Sequence, residues 1–225
     1  MSSIERMPTG IPGLDEMIEG GLPVPSLTLL AGDAGAGKTT FCIQFLCKGA
    51  DQGEPGLYFL TYGGPLDSLF EFVSTYDFVK RKYLGREICW IELEDKVERA
   101  ERAEDVLDAI QEEIEKLGPK RIVIENLSDL EEGLKGDYRR FLLKLSHLIK
   151  SQRAVALVTC DALPKMPYPV EIAHVADGII LLQNEEMNLA RRRSIEILKM
   201  CGTSHHLGKH ALDISVKGLT VYPGL

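Results

Sequence analysis

The chain of 225 residues is 44% hydrophobic, which is enough for one sizeable core and favours a single domain over residues 1–225. Its formal net charge of −8 argues against a dominant nucleic-acid or membrane surface, because both of those partners are anionic. No apolar run approaches the roughly 20 residues that span a bilayer, and the N-terminus lacks the pattern of a signal peptide, so we expect a cytoplasmic protein without a membrane partner.

Residues 1–25 are expected to form an N-terminal extension that precedes a core over residues 26–225. Within the extension, Leu14, Met17 and Ile18 have the spacing of a short helix, which the following glycine pair would end. The core then opens with an apolar run at 27–31, typical of a buried strand, and a helical pattern at 39–47.

The glycine-rich turn between this strand and this helix is the strongest motif in the chain. It reads Gly32-Asp33-Ala34-Gly35-Ala36-Gly37-Lys38-Thr39 and fits the phosphate-binding loop, G-x-x-x-x-G-K-[ST]. The glycines let backbone N–H groups surround a polyphosphate, and the helix N-terminus adds unpaired donors and the positive end of its dipole. We expect the loop and Thr40 to bind a nucleotide, with Lys38 at the β- and γ-phosphates and the Thr39 hydroxyl on Mg²⁺.

Strands and helices alternate along the rest of the chain. The patterns predict strands at 57–62, 88–93, 121–127, 154–159 and 178–182, and helices at 66–82, 96–117 and 138–150. The segments 193–200 and 211–222 alternate apolar and polar residues, as antiparallel strands do. The predicted fold is α/β, with a central, mostly parallel sheet flanked by helices and antiparallel C-terminal strands.

An acid ends one of these apolar strands, because Glu125 follows the run Arg121-Ile122-Val123-Ile124. In phosphate-loop proteins a carboxylate at this place, usually aspartate, holds Mg²⁺. Glutamate is one methylene longer and can still reach the metal through water. The alternative interpretation is a glutamate that makes a local salt bridge.

Several motifs together resemble the single-domain KaiC-like proteins of the RecA superfamily of ATPases. Besides the phosphate loop and the strand that ends at Glu125, they are the segments 7–15, 20–23, 176–180, 199–205 and 218–223. The resemblance covers almost the whole chain and implies a RecA-like P-loop NTPase that binds ATP with Mg²⁺. It also implies a homo-oligomer, often a hexameric ring, in which Lys199 reaches the γ-phosphate bound by the next subunit.

Three departures from the family pattern fall on the parts that hydrolyse ATP. The family has a Glu-Glu pair after its second strand, one of which activates water, whereas this chain has Gly63-Gly64. The family's γ-phosphate arginine, two residues after the lysine, is replaced by Cys201, and its strand-end aspartate is Glu125. Losing a water-orienting base typically removes ~10²–10⁴ in rate, and losing an arginine finger ~10³–10⁵.

We therefore expect an ATP–Mg²⁺-binding switch or scaffold that hydrolyses ATP very slowly or not at all. The alternative is an active but slow homo-oligomeric ATPase, in which Asp67 or Asp161 replaces the lost base. The missing arginine weakens the reason for a ring, so a monomer or a dimer stays open. The acidic segment 129–137 would repel nucleic acid, which disfavours a DNA-associated motor, and the sequence names no protein partner.

Two remaining groups of residues are interpreted as structural. The run Arg191-Arg192-Arg193, placed just before a strand, is expected to be a solvated tip or a subunit contact. The cysteines lack a C-x-x-C pair and are interpreted as small buried apolar residues. No metal site is expected at the C-terminal group Cys201, His205, His206 and His210, since no second cysteine lies nearby in the sequence.

Overall fold

The computed structural model describes residues 4–61, 66–100, 102–134, 136–162, 166–187 and 190–224. Its strands are β1 (Arg6–Met7), β2 (Leu22–Pro23), β3 (Ser26–Gly32), β4 (Gly56–Leu60), β5 (Ile88–Glu92), β6 (Arg121–Glu125), β7 (Val155–Asp161), β8 (Gly178–Met187), β9 (Ala190–Met200), β10 (Lys209–Ser215) and β11 (Gly218–Tyr222). Its α-helices are α1 (Leu14–Met17), α2 (Lys38–Asp51), α3 (Leu66–Val73), α4 (Glu94–Arg99), α5 (Ala103–Leu117), α6 (Leu130–Gly133), α7 (Tyr138–Ser151) and α8 (Val170–Val175).

The described residues form a nine-stranded sheet in the order β11-β10-β9-β8-β3-β7-β6-β4-β5. The strands from β8 to β5 in this order pair in parallel, and β8, β9, β10 and β11 pair antiparallel in succession. This arrangement confirms the predicted α/β fold with its antiparallel C-terminal strands. A separate two-stranded sheet of β1 and β2, which the sequence did not predict, lies in the N-terminal extension.

Apolar side chains cover both faces of the sheet. One cluster includes Phe41 and Phe45 of α2, and the other includes Ile110 of α5 and Phe141 of α7. Every residue of β3 is buried, because parallel strands flank it on both sides and helices cover both faces. The strand that leads into the phosphate loop is therefore supported on both edges and both faces.

The helix predicted over 96–117 is two helices in the structure. The break falls between α4 and α5, where Ala100 has an extended backbone (φ −68°, ψ 129°). The Asp105 carboxylate accepts a hydrogen bond from the Arg102 N–H at 3.0 Å, which caps the start of α5. The prediction was wrong here because an aspartate inside a helical pattern was not read as a cap.

The helix predicted over 66–82 is also shorter, since α3 ends at Val73 and only a 3-10 turn, Arg81–Tyr83, follows later. The Ser74 hydroxyl donates to the Phe70 carbonyl at 2.6 Å, and the Thr75 hydroxyl donates to the Phe72 carbonyl at 2.7 Å. Such local side-chain bonds compete with the helix and favour its termination.

Two segments for which the sequence predicted no helix contain short helices. The proline-rich segment after β7 includes α8, which begins directly after Pro169, a residue that helix starts accept readily. The acidic segment 129–137 includes α6, which a 3-10 turn at Leu127–Asp129 precedes. Leu130 and Leu134 are buried, which fixes this segment against the core.

Candidate functional site

The phosphate loop joins the end of β3 to the start of α2, as the sequence predicted. Gly35 and Gly37 have left-handed backbones, with φ of 73° and 109°. Close contacts add a second constraint, because a Cβ on Gly37 would lie 2.7 Å from Ile214 Cδ1, and a Cβ on Gly32 would lie 2.3 Å from the Leu182 carbonyl oxygen. The glycines are thus needed both for the turn and for the packing of the C-terminal strands on it.

Lys38 is the first residue of α2, and its side chain is 11% exposed. Its Nζ donates to the carbonyls of Gly32 at 2.8 Å and Asp33 at 3.1 Å, and it forms an ion pair with Asp161 Oδ1 at 2.7 Å. Asp161 is the last residue of β7, the strand next to β3, and its side chain is 65% exposed. The Lys38 ammonium group is therefore held at the mouth of the loop. The Asp161 carboxylate lies beside it and is accessible to water.

Thr39 and Glu125 are brought together, although 86 residues separate them in the chain. The Thr39 hydroxyl donates to Glu125 Oε1 at 2.9 Å. Glu125 is the last residue of β6, and the neighbouring strand ends are joined because the Thr61 hydroxyl donates to the Glu125 carbonyl at 2.7 Å. A hydroxyl and a carboxylate in contact are the oxygen ligands that Mg²⁺ accepts, so the pair fits the metal position.

Two buried groups lie beneath the loop. Burial, and next the negative charge of Glu125, raise the pKa of the Tyr58 hydroxyl well above its ordinary value. Burial and Glu125 likewise raise the pKa of the Cys42 thiol. Both groups stay neutral at physiological pH, so Lys38 and Glu125 are the charged groups that α2 and β6 present at this point.

A cavity of about 300 Å³ opens beside the loop. Its lining residues come from the loop, from the segment after α3, and from the C-terminal strands: Gly35, Gly37, Lys38, Thr39, Thr40, Tyr76, Arg193 and Ile214. The sequence indicated the five loop residues but not the last three, which carry no local motif and come from distant parts of the chain.

The arginine run 191–193 lies within β9 and not before a strand as predicted. All three side chains are exposed, and the Arg193 Nε lies 3.4 Å from the Gly35 carbonyl oxygen of the loop. Arg193 therefore borders the cavity beside the loop, a position that the predicted solvated tip or subunit contact did not suggest.

Lys199 lies near the end of β9, where its Nζ donates to the Ala176 carbonyl at 2.5 Å and lies 3.4 Å from the Ala173 carbonyl oxygen. In the single chain it thus faces the C-terminal end of α8. Its contact with a neighbouring subunit's nucleotide stays a prediction.

Cysteine burial follows the prediction in part. Cys42, Cys47 and Cys160 are buried and Cys89 is half-buried. Cys201 lies in the turn after β9 and is exposed, so its interpretation as a buried residue was wrong.

Gly63-Gly64 lie outside the described residues, as does the side chain of Asp67. A metal-binding group of three or more histidine, cysteine or acidic side chains is absent from the described part of the chain. Across the same residues, no helix is long and apolar enough to cross a membrane.

A glycine-rich loop between β3 and α2, with an acid at the end of β6, a parallel strand two places from β3 in the sheet, defines a P-loop nucleotide-binding protein. The family model for the KaiC ATPase matches residues 7–225. The chain belongs to this family.

Individual relatives agree with this assignment. A UPF0273 protein of Methanocaldococcus jannaschii is 30% identical, with 98% of this chain and 97% of the relative covered. The circadian clock protein KaiC3 of Synechocystis is 31% identical over 98% of this chain, which spans 46% of that relative. The crystal structure of a KaiC-like protein from Pyrococcus horikoshii superimposes with a TM-score of 0.85 at 31% identity, covering 98% of this chain and all of the other.

Proposed function

We propose that this protein binds ATP with Mg²⁺ at the phosphate loop and acts as a nucleotide-dependent switch or scaffold, with very slow or absent hydrolysis. The contact between the Thr39 hydroxyl and Glu125 Oε1, with Lys38 at the mouth of the same loop, is the observation that carries the proposal. Mg²⁺ held by Thr39, and by Glu125 through water, would neutralise charge on the β- and γ-phosphates.

The ion pair of Lys38 fits a site that exchanges one anion for another. Asp161 is 65% exposed and can turn into solvent, whereas Lys38 is tied to two carbonyls of the loop. A terminal phosphate carries more charge than a carboxylate and presents more acceptor oxygens. We expect ATP to replace Asp161 at Lys38 and to leave the lysine where it is.

The absence of fast hydrolysis rests on the sequence departures. Glycine at positions 63 and 64 offers no group that could orient water, and Cys201 is not cationic. Lys199 would have to leave the carbonyls of Ala173 and Ala176 to reach another subunit. Occupancy of the loop, and not turnover, would then set the state of the protein.

One observation favours a second function, a slow ATPase. Asp161 Oδ1 lies 2.7 Å from Lys38 Nζ, so a carboxylate stands about one hydrogen bond from the group that would grip the γ-phosphate. After displacement by nucleotide, this carboxylate could orient the attacking water. Asp161→Asn would then lower turnover at unchanged or higher ATP affinity.

Calorimetry with ATP and Mg²⁺, followed by a steady-state hydrolysis assay, tests the proposal. We expect saturable binding that Lys38→Ala removes, and turnover far below the order of 1 s⁻¹ found for ordinary enzymes. Turnover near that rate would refute the switch, and absence of binding would refute the nucleotide site. The variant Gly63→Glu/Gly64→Glu restores the missing acids and should raise turnover. Cys201→Arg is the matched variant that restores the missing arginine. Gel filtration with ATP and with ADP tests whether occupancy alters a dimer or a ring.

A further inference from the structure

Lys38 and Thr39 border the cavity beside the phosphate loop, together with Tyr76, Arg193 and Ile214. Its described lining includes neither Glu125, which contacts Thr39, nor Asp161, which pairs with Lys38. Since Lys38 and Thr39 take the β- and γ-phosphates, the cavity lies where the sugar and the base of a bound nucleotide would extend. A volume of about 300 Å³ is within the range of small-molecule sites.

The walls of this cavity are held by specific contacts. The Tyr76 hydroxyl and the Thr40 hydroxyl are 3.1 Å apart, so the aromatic ring stands over the first turn of α2. Tyr76 also stacks on Phe78, with ring centroids 5.2 Å apart, and the neighbouring Asp77 N–H donates to the Val216 carbonyl at 2.9 Å. Contacts within the chain therefore hold the Tyr76 ring beside the cavity.

The opposite side of the cavity is apolar and cationic. Ile214 of β10 packs directly against Gly37, where an added Cβ would meet its Cδ1 at 2.7 Å. Arg193 reaches the edge of the loop at Gly35. Ile214 forms no hydrogen bond with a base, and Arg193 can only donate one, for which N7 is an acceptor that adenine and guanine share.

The chemistry of the lining decides how a base could be recognised. Discrimination of guanine from adenine needs groups placed to hydrogen-bond the edges at which the two bases differ, and a carboxylate is the side chain suited to accept from the ring N–H and amino group of guanine. Among the described residues that line the cavity there is no acidic or amide side chain. Stacking on an aromatic face, in contrast, is available to every base.

We propose that the cavity is the nucleoside subsite of the phosphate loop, and that it holds a purine by stacking on Tyr76 without reading the base edge. ATP and GTP should then bind with similar affinity. The inference rests on the proposed nucleotide site and adds to it a base-permissive specificity and a residue responsible for it.

Calorimetric titration of the full chain with ATP and with GTP, each with excess Mg²⁺, tests the specificity directly and needs no variant. We expect dissociation constants within about 5-fold of each other, because stacking tolerates both purines. A preference of 100-fold or more for ATP would overturn the inference while leaving the proposed ATP site intact. Failure of the wild-type chain to bind either nucleotide would refute both.

The role of Tyr76 is tested by three substitutions with the same ligands. Tyr76→Ala should weaken ATP and GTP equally, on the order of 10-fold, whereas Tyr76→Phe keeps the ring, loses only the contact with Thr40 and should bind nearly as well as the wild type. Phe72→Ala is the control, since Phe72 is an aromatic residue of the adjacent α3 that is 72% exposed and outside the cavity. Unchanged binding by Tyr76→Ala, or equal losses for alanine and phenylalanine at position 76, would contradict stacking.

Discussion

Replacement of Arg121, the first residue of β6, is expected to destabilise the whole fold. Its side chain is fully buried, and burial lowers the pKa of the guanidinium, which keeps its charge through its partners. Nε donates to Glu54 Oε2 at 2.7 Å, and the terminal nitrogens donate to the carbonyls of Pro8 at 2.8 Å and Phe45 at 3.1 Å and to Gln52 Oε1 at 3.1 Å. The guanidinium also lies 4.6 Å from the centre of the Phe45 ring.

These contacts join the N-terminal extension, the end of α2 and the following turn to the central sheet. Arg121→Ala leaves the Glu54 carboxylate and two carbonyls without their donor, and removal of one partner of a buried pair costs about 3–5 kcal/mol. Urea unfolding followed by circular dichroism measures this loss. Arg121→Lys keeps the charge but not the planar fork, so we expect an intermediate loss of about 1–3 kcal/mol.

Two further variants test whether the loss of stability comes from the buried contacts of Arg121. Gly49→Ala should mimic part of the effect without touching any charge, since its Cβ would lie 2.4 Å from Arg121 Cδ. Arg99→Ala, at a position whose side chain is 81% exposed, should stay within about 0.5 kcal/mol of the wild type. A loss below about 1 kcal/mol for Arg121→Ala would mean that the buried network does not hold the extension to the sheet.

Three other predictions concern the metal position, the thiols and the response to acid. Glu125→Gln should weaken ATP binding by ~10-fold or more in the presence of Mg²⁺ but little in EDTA, as a lost charged hydrogen bond requires. Calorimetry with Mg²⁺ and with EDTA measures both affinities, and an equal loss of affinity without metal would contradict the prediction. Burial raises the pKa of Cys47 and of Cys160 to about 12 and keeps both thiols protonated, so Cys201, the exposed thiol, should react with a maleimide between pH 7 and 9 faster than the half-buried Cys89. Mass spectrometry of Cys201→Ser should show this fast label missing. Hydrogen bonds from Lys80 and then Tyr83 lower the pKa of Asp51, so the stability that this carboxylate contributes is present above the unfolded pKa of about 4 and is lost as pH falls through the lower folded value. Asp51→Asn should cost less than about 1 kcal/mol at pH 7 and should reduce the acid sensitivity of urea unfolding. An unchanged pH profile would exclude the role of this carboxylate.

The positions of the phosphate loop, Thr39 and Glu125 were predictable because their signals are local in the sequence. A fixed spacing of glycines, Lys38 and Thr39 between an apolar strand and a helix allows one arrangement only, and parallel strands bring their carboxyl ends to the same edge. The strand-end position of Glu125 therefore placed it near Thr39, and the structure gives 2.9 Å between them.

The cavity wall could not be predicted in the same way. Tyr76, Arg193 and Ile214 come from three separate segments, and what unites them is the order β10-β9-β8-β3 in the sheet together with the turn after α3. Hydrophobic periodicity predicts strands without giving their order. The early end of α3 depends on hydroxyl bonds of Ser74 and Thr75 that compete with a helical pattern continuing past them.

The position of Tyr76 also bears on how occupancy could be signalled. A ligand shifts a conformational equilibrium only if it contacts the two states differently, so a switch needs a segment whose surroundings change when the loop is filled. The turn at 74–79 is placed for this role, because Tyr76 contacts Thr40 in the first turn of α2 and the Asp77 N–H donates to the Val216 carbonyl in the turn between β10 and β11. The same turn follows α3, which in turn follows the Gly63-Gly64 position where the family carries its water-activating acids. A nucleotide that stacks on Tyr76 would thus contact the segment that follows the family's water-activating acids. In a chain without those acids, a change in this segment would signal that a nucleotide is bound.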